Sequence, residues 1–148
     1  MAGDEAALPE GIRMVFDPAP PAGFRAELGQ RINAFHAETV PHRADRFGLR
    51  LEDAAGELVG GFIGVLSWGW LFVEAVWVDP ARRGLGAGRA LMAAAERHAA
   101  SAGCHSAWLD SFQARDFYET LGYAVFGALE DYPAGQTRWF LRKRLAAG

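Results

Sequence analysis

Val76-Trp77-Val78-Asp79-Pro80-Ala81-Arg82-Arg83-Gly84-Leu85-Gly86-Ala87-Gly88 is the stretch on which the fold turns. Its first three residues close the run Trp70 to Val78, whose aromatic and β-branched side chains read as a strand. Pro80 stops that strand. A helix is expected from about Leu85 to Ala100, with positions 85, 88, 92, 95 and 99 on one small-to-apolar stripe, ended by Gly103. The glycine loop between them has the chemistry of an anion site. The first turn of a helix offers unpaired N–H groups and the positive end of the dipole. Glycines let a phosphate approach the backbone with no Cβ in the way. Arg82 and Arg83 add positive charge, and a pyrophosphate is the natural guest.

Outward from this loop the chain reads as alternating elements. Ahead of it, Phe47 to Leu51 has period two, Asp53-Ala54-Ala55-Gly56 is a turn, and Leu58 to Ser67 is a strand that Trp68-Gly69 folds back into Trp70 to Val78. The middle of the protein is thus expected to be an antiparallel meander. Further upstream, Ile12 to Asp17 alternates and reads as a first strand, and Phe24, Leu28, Ile32 and Phe35 recur at helical spacing before Pro41. Downstream, Ser106 to Leu109 is a short strand, reached through a helix and so expected to be a parallel crossover. Asp110 or Ser111 then caps a helix presenting Ala114, Phe117, Tyr118 and Leu121, and a hairpin follows over Tyr123 to Leu129 and Thr137 to Lys143. The order predicts an α+β fold with a mixed, mostly antiparallel sheet of six to seven strands. Residues 11–145 are expected to form a single domain behind a disordered N-terminus over 1–10.

Composition narrows the function. The 148 residues carry a formal net charge of −3, which argues against nucleic acid as the main partner. The longest uncharged stretch, Leu58 to Val73, is shorter than the ~20 residues of a spanning helix and is broken by glycines, so no membrane partner is expected. Met1 to Glu10 has no basic and apolar signal-peptide pattern. The lone Cys104 allows no intramolecular disulfide and reads as a buried structural thiol, in keeping with a cytoplasmic setting. His36, His42, His98 and His105 lack metal-ligand spacing, and no metal is expected.

Three anionic guests compete for the glycine loop. A P-loop needs a terminal Gly-Lys-Ser/Thr, which is missing. A dinucleotide fingerprint needs Gly-x-Gly-x-x-Gly directly after the strand, whereas here the glycines lie two apart behind Pro80 and the arginine pair. Coenzyme A is the third guest, and a bare Gly-x-Gly-x-Gly is equally a tight turn packed against a helix.

Two motifs in order bear on the choice. Val78-Asp79-Pro80 leads into Arg83-Gly84-Leu85-Gly86-Ala87-Gly88, and Ser111-Phe112-Gln113-Ala114-Arg115-Asp116-Phe117-Tyr118-Glu119-Thr120-Leu121-Gly122-Tyr123 follows. Together they resemble the GNAT superfamily of acetyl-CoA-dependent N-acetyltransferases, whose motifs read Arg/Gln-x-x-Gly-x-Gly/Ala and Asn-x-x-Ala-x-x-Phe-Tyr-x-x-x-Gly-Phe/Tyr. The likeness is strong over residues 58–129. The resemblance implies a sheet splayed into a V between Trp70–Val78 and Ser106–Leu109. Pantetheine would bond the backbone of Val76 and Val78 beside Trp77, and the pyrophosphate would lie on the amides of Arg83, Gly84, Leu85, Gly86, Ala87 and Gly88. Ser111 stands in the Asn position, where a hydroxyl either replaces the pantetheine contact or loses it. The family also implies direct transfer of acetyl from acetyl-CoA to a primary amine, and a homodimer is common in it.

Such transfer requires an amine freed of its proton, a stabilised oxyanion and a proton for the leaving thiolate. Tyr118 is the candidate acid, since the family places this phenol at the cofactor sulfur. Glu74 is the candidate base, directly or through water. It is the only charge in its strand, expected to share a face with Phe72 and Val76 by alternation. The oxyanion donor is expected to be a backbone N–H near Trp77 or Val78. Trp68, Trp70, Phe72 and Trp77 are candidate walls for the acceptor, and Asp110 could bind its amine if it does not cap the helix. A small-molecule amine is the expected acceptor. A protein N-terminus or lysine is the alternative within the same chemistry, and a non-catalytic acyl-CoA-binding regulatory module is the alternative of another class.

Overall fold

A computed structural model describes residues 7–40 and 44–147. The chain divides into two compact units, Met1–Pro41 and His42–Gly148. In the first, α1 spans Ala22–Ala37 behind Pro21, whose extended backbone forms the N-terminal boundary. Asp17 Oδ1 accepts from the Ala19 N–H at 2.9 Å and fixes the turn ahead of it. The strand expected over Ile12 to Asp17 does not form: these residues are irregular, and the Ile12 N–H is spent on a turn to the Pro9 carbonyl. Alternation supplies a face, but a strand also needs a ladder partner.

The second unit holds β1 (Asp45–Glu52), β2 (Leu58–Ser67), β3 (Trp70–Val78), a 3-10 turn at Pro80–Arg82, α2 (Ala87–Ser101), β4 (Ser106–Ser111), α3 (Arg115–Thr120), β5 (Ala124–Glu130) and β6 (Thr137–Arg144). The six strands form one mixed sheet in the order β1-β2-β3-β4-β6-β5, so the α+β architecture is as expected. All pairs are antiparallel except β3 with β4, which α2 joins as a crossover. Leu71, Met92, Leu109 and Leu141 are fully buried where α2 lies on the sheet, with Leu91, Ala95, Ala99 and Ala107 around them. The small residues of α2 let it sit close to β2 and β3. Gly103, at φ +95°, ends the helix, and the Cys104 N–H returns to the Ala99 carbonyl at 2.9 Å. Among the described residues no helix is long and apolar enough to cross a membrane.

Two irregularities position the site. First, the parallel ladder between β3 and β4 has only three rungs, Trp70↔Ser106, Leu71↔Ala107 and Phe72↔Trp108. Beyond Phe72 the strands part, while β3 stays paired to β2 as far as Val78 and β4 to β6 as far as Ser111. This opening is the V that the resemblance implied. Second, β3 is bulged. Gly64 opposes Val73 and Ile63 opposes Ala75, which leaves Glu74 as the extra residue. The bulge reverses the alternation. Leu71 and Val73 face the core before it, and Val76 and Val78 pack against that core after it. The expected shared face of Phe72, Glu74 and Val76 is therefore corrected. Phe72 lies opposite to Val76, because one inserted residue flips everything beyond it.

Candidate active site

The glycine loop and α2 build one wall of a cleft of about 630 Å³. Its lining includes Val76, Trp77 and Val78 of β3, then Arg82, Arg83, Gly84, Gly86, Ala87, Gly88 and Arg89, with Gln113, Ala114, Phe117 and Tyr118 opposite. Gly84 and Gly86 adopt φ of +79° and +87°, and a Cβ built on either would meet nothing within 4 Å. They keep open a cradle that side chains would fill. Gly86 is the N-cap of α2, and the first helical bond runs from the Ala90 N–H to the Gly86 carbonyl at 3.0 Å. The amides of Ala87, Gly88 and Arg89 precede it and are free for an anion.

The arginines around the cradle are held in place. Arg82 Nη2 lies 3.6 Å from Asp53 Oδ2, Arg83 Nε donates to the Val78 carbonyl at 2.9 Å, and Arg89 Nη2 reaches Thr120 Oγ1 at 3.4 Å. Arg89 was missed in the sequence. A cation in the first turn of a helix opposes the dipole, and that misfit was the available signal for a bound anion. Ala114 and Phe117 belong to the second motif but were not assigned to the site. Gly88 lets Phe117 approach, since a Cβ there would sit 3.3 Å from the Phe117 ring and 3.9 Å from a Val78 methyl. The donor set and open cradle fit a diphosphate joined to an extended arm running along β3.

Two expected cofactor contacts do not line this cleft. The Leu85 side chain is 81% exposed, while the contact expected of this residue is through its backbone amide in the loop. The Ser111 hydroxyl accepts the Ala114 N–H at 3.1 Å and is engaged in the turn before α3. The helix cap expected of Asp110 or Ser111 is corrected. Both lie in β4, and the N-cap of α3 is Ala114, without a side-chain bond.

Tyr118 reaches the cleft from α3 and is 8% exposed, with its ring against Phe117 and Tyr123. Burial pushes its phenol above the usual value of 10.0. Behind it, the Tyr123 hydroxyl donates to Glu96 at 3.4 Å, and Lys143 lies 2.7 Å from the same carboxylate. Burial first, then the Glu96 charge and hydrogen bond, drive the Tyr123 phenol far up. Cys104 is buried and its thiol is pushed up by desolvation, which suits a structural role.

Glu74 is not among the residues that line the cleft at the glycine loop. Its carboxylate is exposed, and Arg46 donates to both oxygens through Nε and Nη2 at 3.1 and 3.2 Å. Asp110, just past the last parallel rung on β4, is held by Arg138 Nη1 at 2.8 Å. The face of the sheet opposite the core carries Phe72 stacked on Trp108 at 4.4 Å, at that last rung. These two help line a second cleft of about 540 Å³ with Trp68, Trp70, Phe126 and Arg142. Of the four aromatic residues expected to wall an acceptor, three meet here and Trp77 lines the glycine-loop cleft instead. His98 packs on Phe47 and His105 on Trp70, while His42 lies outside the described residues.

Comparison with known proteins agrees with this geometry. The chain is 42% identical over 93 residues to the blasticidin-S acetyltransferase of Streptomyces morookaense, covering 61% of this chain and 68% of that protein. It is 36% identical over 115 residues to an acetyltransferase of Agrobacterium fabrum, covering 71% of this chain and 84% of that one. Among solved structures, a protein of Agrobacterium tumefaciens classed as an acetyltransferase superposes with a TM-score of 0.85 at 26% identity, covering 90% of this chain and all of that one. Residues 11–123 match the Acetyltransferase (GNAT) family, and the chain belongs to that family of acetyltransferases.

Proposed function

We propose that this protein transfers the acetyl group of acetyl-CoA directly to a primary amine of a small molecule. The observation that carries the reading is the pairing of an open glycine cradle at the start of α2 with the unpaired edge of β3 beyond Phe72. The first suits a diphosphate and the second an amide-bearing arm. Bound there, acetyl-CoA supplies an activated acyl thioester. The blasticidin-S relative supports a small-molecule acceptor.

The protein's own groups divide the work. The amides of Ala87, Gly88 and Arg89 hold the anion, with Arg82, Arg83 and Arg89 around it. Backbone N–H groups on the open edge of β3, near Trp77 or Val78, stabilise the developing oxyanion. Glu74, fixed by Arg46, takes the amine proton directly or through water as the new N–C bond forms. Tyr118, kept protonated by burial, gives its proton to the departing thiolate as the C–S bond breaks.

Thermal unfolding with acetyl-CoA, CoA, ATP and NAD tests the cofactor, followed by thiol release across primary amines. A ligand at ~100 times its dissociation constant adds ~2.7 kcal/mol, several degrees for a domain of this size. A rise with both CoA forms but not with ATP or NAD is expected. No rise with either CoA form at saturating concentration sinks the cofactor assignment and the roles built on it.

A further inference from the structure

We propose that the aromatic cleft on the sheet face opposite the core is the acceptor subsite, and that it takes a primary amine borne on a flat aromatic ring with a carboxylate at the ring's far end. This rests on the acetyltransferase reading above and names the acceptor class for the same site. Leu71, Ala107, Leu109 and Leu141 point into the core, so Phe72, Trp108 and Arg142 fall on the opposite face. The glycine-loop cleft is lined from the core side, by the start of α2 and by α3. Its cradle lies past the C-terminal end of β3, so an arm running back along β3 brings a thioester to the closed end of the gap. That end is the rung Phe72↔Trp108, and both residues line the aromatic cleft. An acceptor seated there meets the thioester from the face that the cofactor leaves open.

The ladders set Arg46, Val65, Phe72, Trp108 and Arg142 in one row across this face. At the β1 end of the row Arg46 holds Glu74, two residues beyond Phe72, and at the β6 end stands Arg142. Phe72 and Trp108, between them, are half-buried and stacked at 4.4 Å with 28° between their planes. Among the described residues, five of the eight that line the cleft are aromatic, and Arg142 is the one that carries a charge. An aliphatic chain would gain only by area in such a space, whereas a flat ring adds offset-stacked or edge-on contacts with its neighbours. Arg142 is exposed and lies 5.5 Å from the Phe126 ring, and it pairs with no carboxylate among the described residues. One uncompensated guanidinium at the border of an apolar cleft suits one carboxylate. The amine belongs at the other end, beside the gap and toward Glu74, where it also escapes repulsion from Arg142. Two strand spacings, about 10 Å, separate β3 from β6, a span that a ring substituted at opposite ends crosses.

The test compares three acceptors on one enzyme preparation: 4-(aminomethyl)benzoate, its carboxamide, and trans-4-(aminomethyl)cyclohexanecarboxylate, which has the same length but a puckered ring. The readout is the ratio of kcat/KM within each pair, which partial unfolding of a variant does not alter. The wild type is expected to prefer the aromatic acid to its amide by about tenfold, mainly through KM, as one charge-assisted contact at an exposed arginine provides. In Arg142→Gln that ratio falls to near one. The ratio of flat to puckered acid is read as its change between wild type and Trp108→Leu, which cancels the basicities of the two amines, and it is expected to drop about three- to tenfold. An acid preference near one in the wild type, or either ratio left unchanged by its variant, overturns the proposal while leaving the transferase intact. Turnover of other primary amines with none of these three overturns it in the same way. If acetyl-CoA neither stabilises the protein nor reacts with any amine, the underlying transferase reading falls and this proposal falls with it.

Discussion

At Tyr118 a phenol is buried to 8% exposure in the lining of the glycine-loop cleft, and desolvation holds its proton. A donor that touches only the departing sulfur acts in the transition state, so Tyr118→Phe is expected to lower kcat by about 10²-fold while acetyl-CoA affinity stays within about twofold. Equal turnover in steady-state assays removes the acid assignment. Glu74 calls for a pH series. The amine is hardest to deprotonate at low pH, so Glu74→Gln should depress the rate most there, by about 10²-fold, and least in alkali. A uniform loss across pH would indicate that the Arg46 fork only braces the bulge. The buried phenols also link stability to pH. Tyr118 and Tyr123 have folded values raised above the unfolded 10.0, and Cys104 above 9.0. Their contribution is fully present below those unfolded values and is lost as pH rises through the raised folded ones. The melting temperature should therefore hold steady up to about pH 9 and fall steeply beyond. The fall should be shallower in Tyr123→Phe.

At the scale of elements, the loop that opens α2 gives the sharpest prediction. Gly86 sits at φ +87° with open space where a Cβ would go. Gly86→Ala should cost about 1 kcal/mol of stability from backbone strain. It should also weaken acetyl-CoA by about tenfold, because the new methyl enters the cradle. Calorimetric binding beside a melting curve separates the two. The loop, α2 and the meander were legible because their signals are local: Pro80, the glycine spacing and the uninterrupted runs Leu58 to Ser67 and Trp70 to Val78. The strand over Ile12 to Asp17 was misjudged because periodicity cannot report whether a partner strand exists. The bulge at Glu74 was not legible either. It depends on how β2 registers against β3, and Gly64, where a Cβ would lie 2.7 Å from the Phe62 ring, is its neighbour in that register. With the bulge unseen, Glu74 was placed on the wrong face relative to Val76; separately, Asp110 was left between capping and amine binding, because its Arg138 partner lies 28 residues away.

For the sheet as a whole, the consequence is a weak seam. β1, β2 and β3 are joined to β4, β6 and β5 by three parallel rungs and the α2 crossover, while every other pair runs six or more rungs. Parallel pairing over so few residues holds the seam loosely, and the edges that part beyond Phe72 and Trp108 leave ladder groups to solvent. An extended arm laid along β3 would supply the missing partner on that side. Hydrogen exchange should therefore slow on acetyl-CoA binding at the β3 amides beyond Glu74 and in the first turn of α2. The paired amides of β1 against β2 should change only by the global gain in stability. CoA without the acetyl group should reproduce most of the effect, because the arm and diphosphate make these contacts. Protection that rises evenly over the sheet would mean the ligand stabilises the domain without entering the seam, and the route along β3 would then be wrong even if the cradle holds the diphosphate.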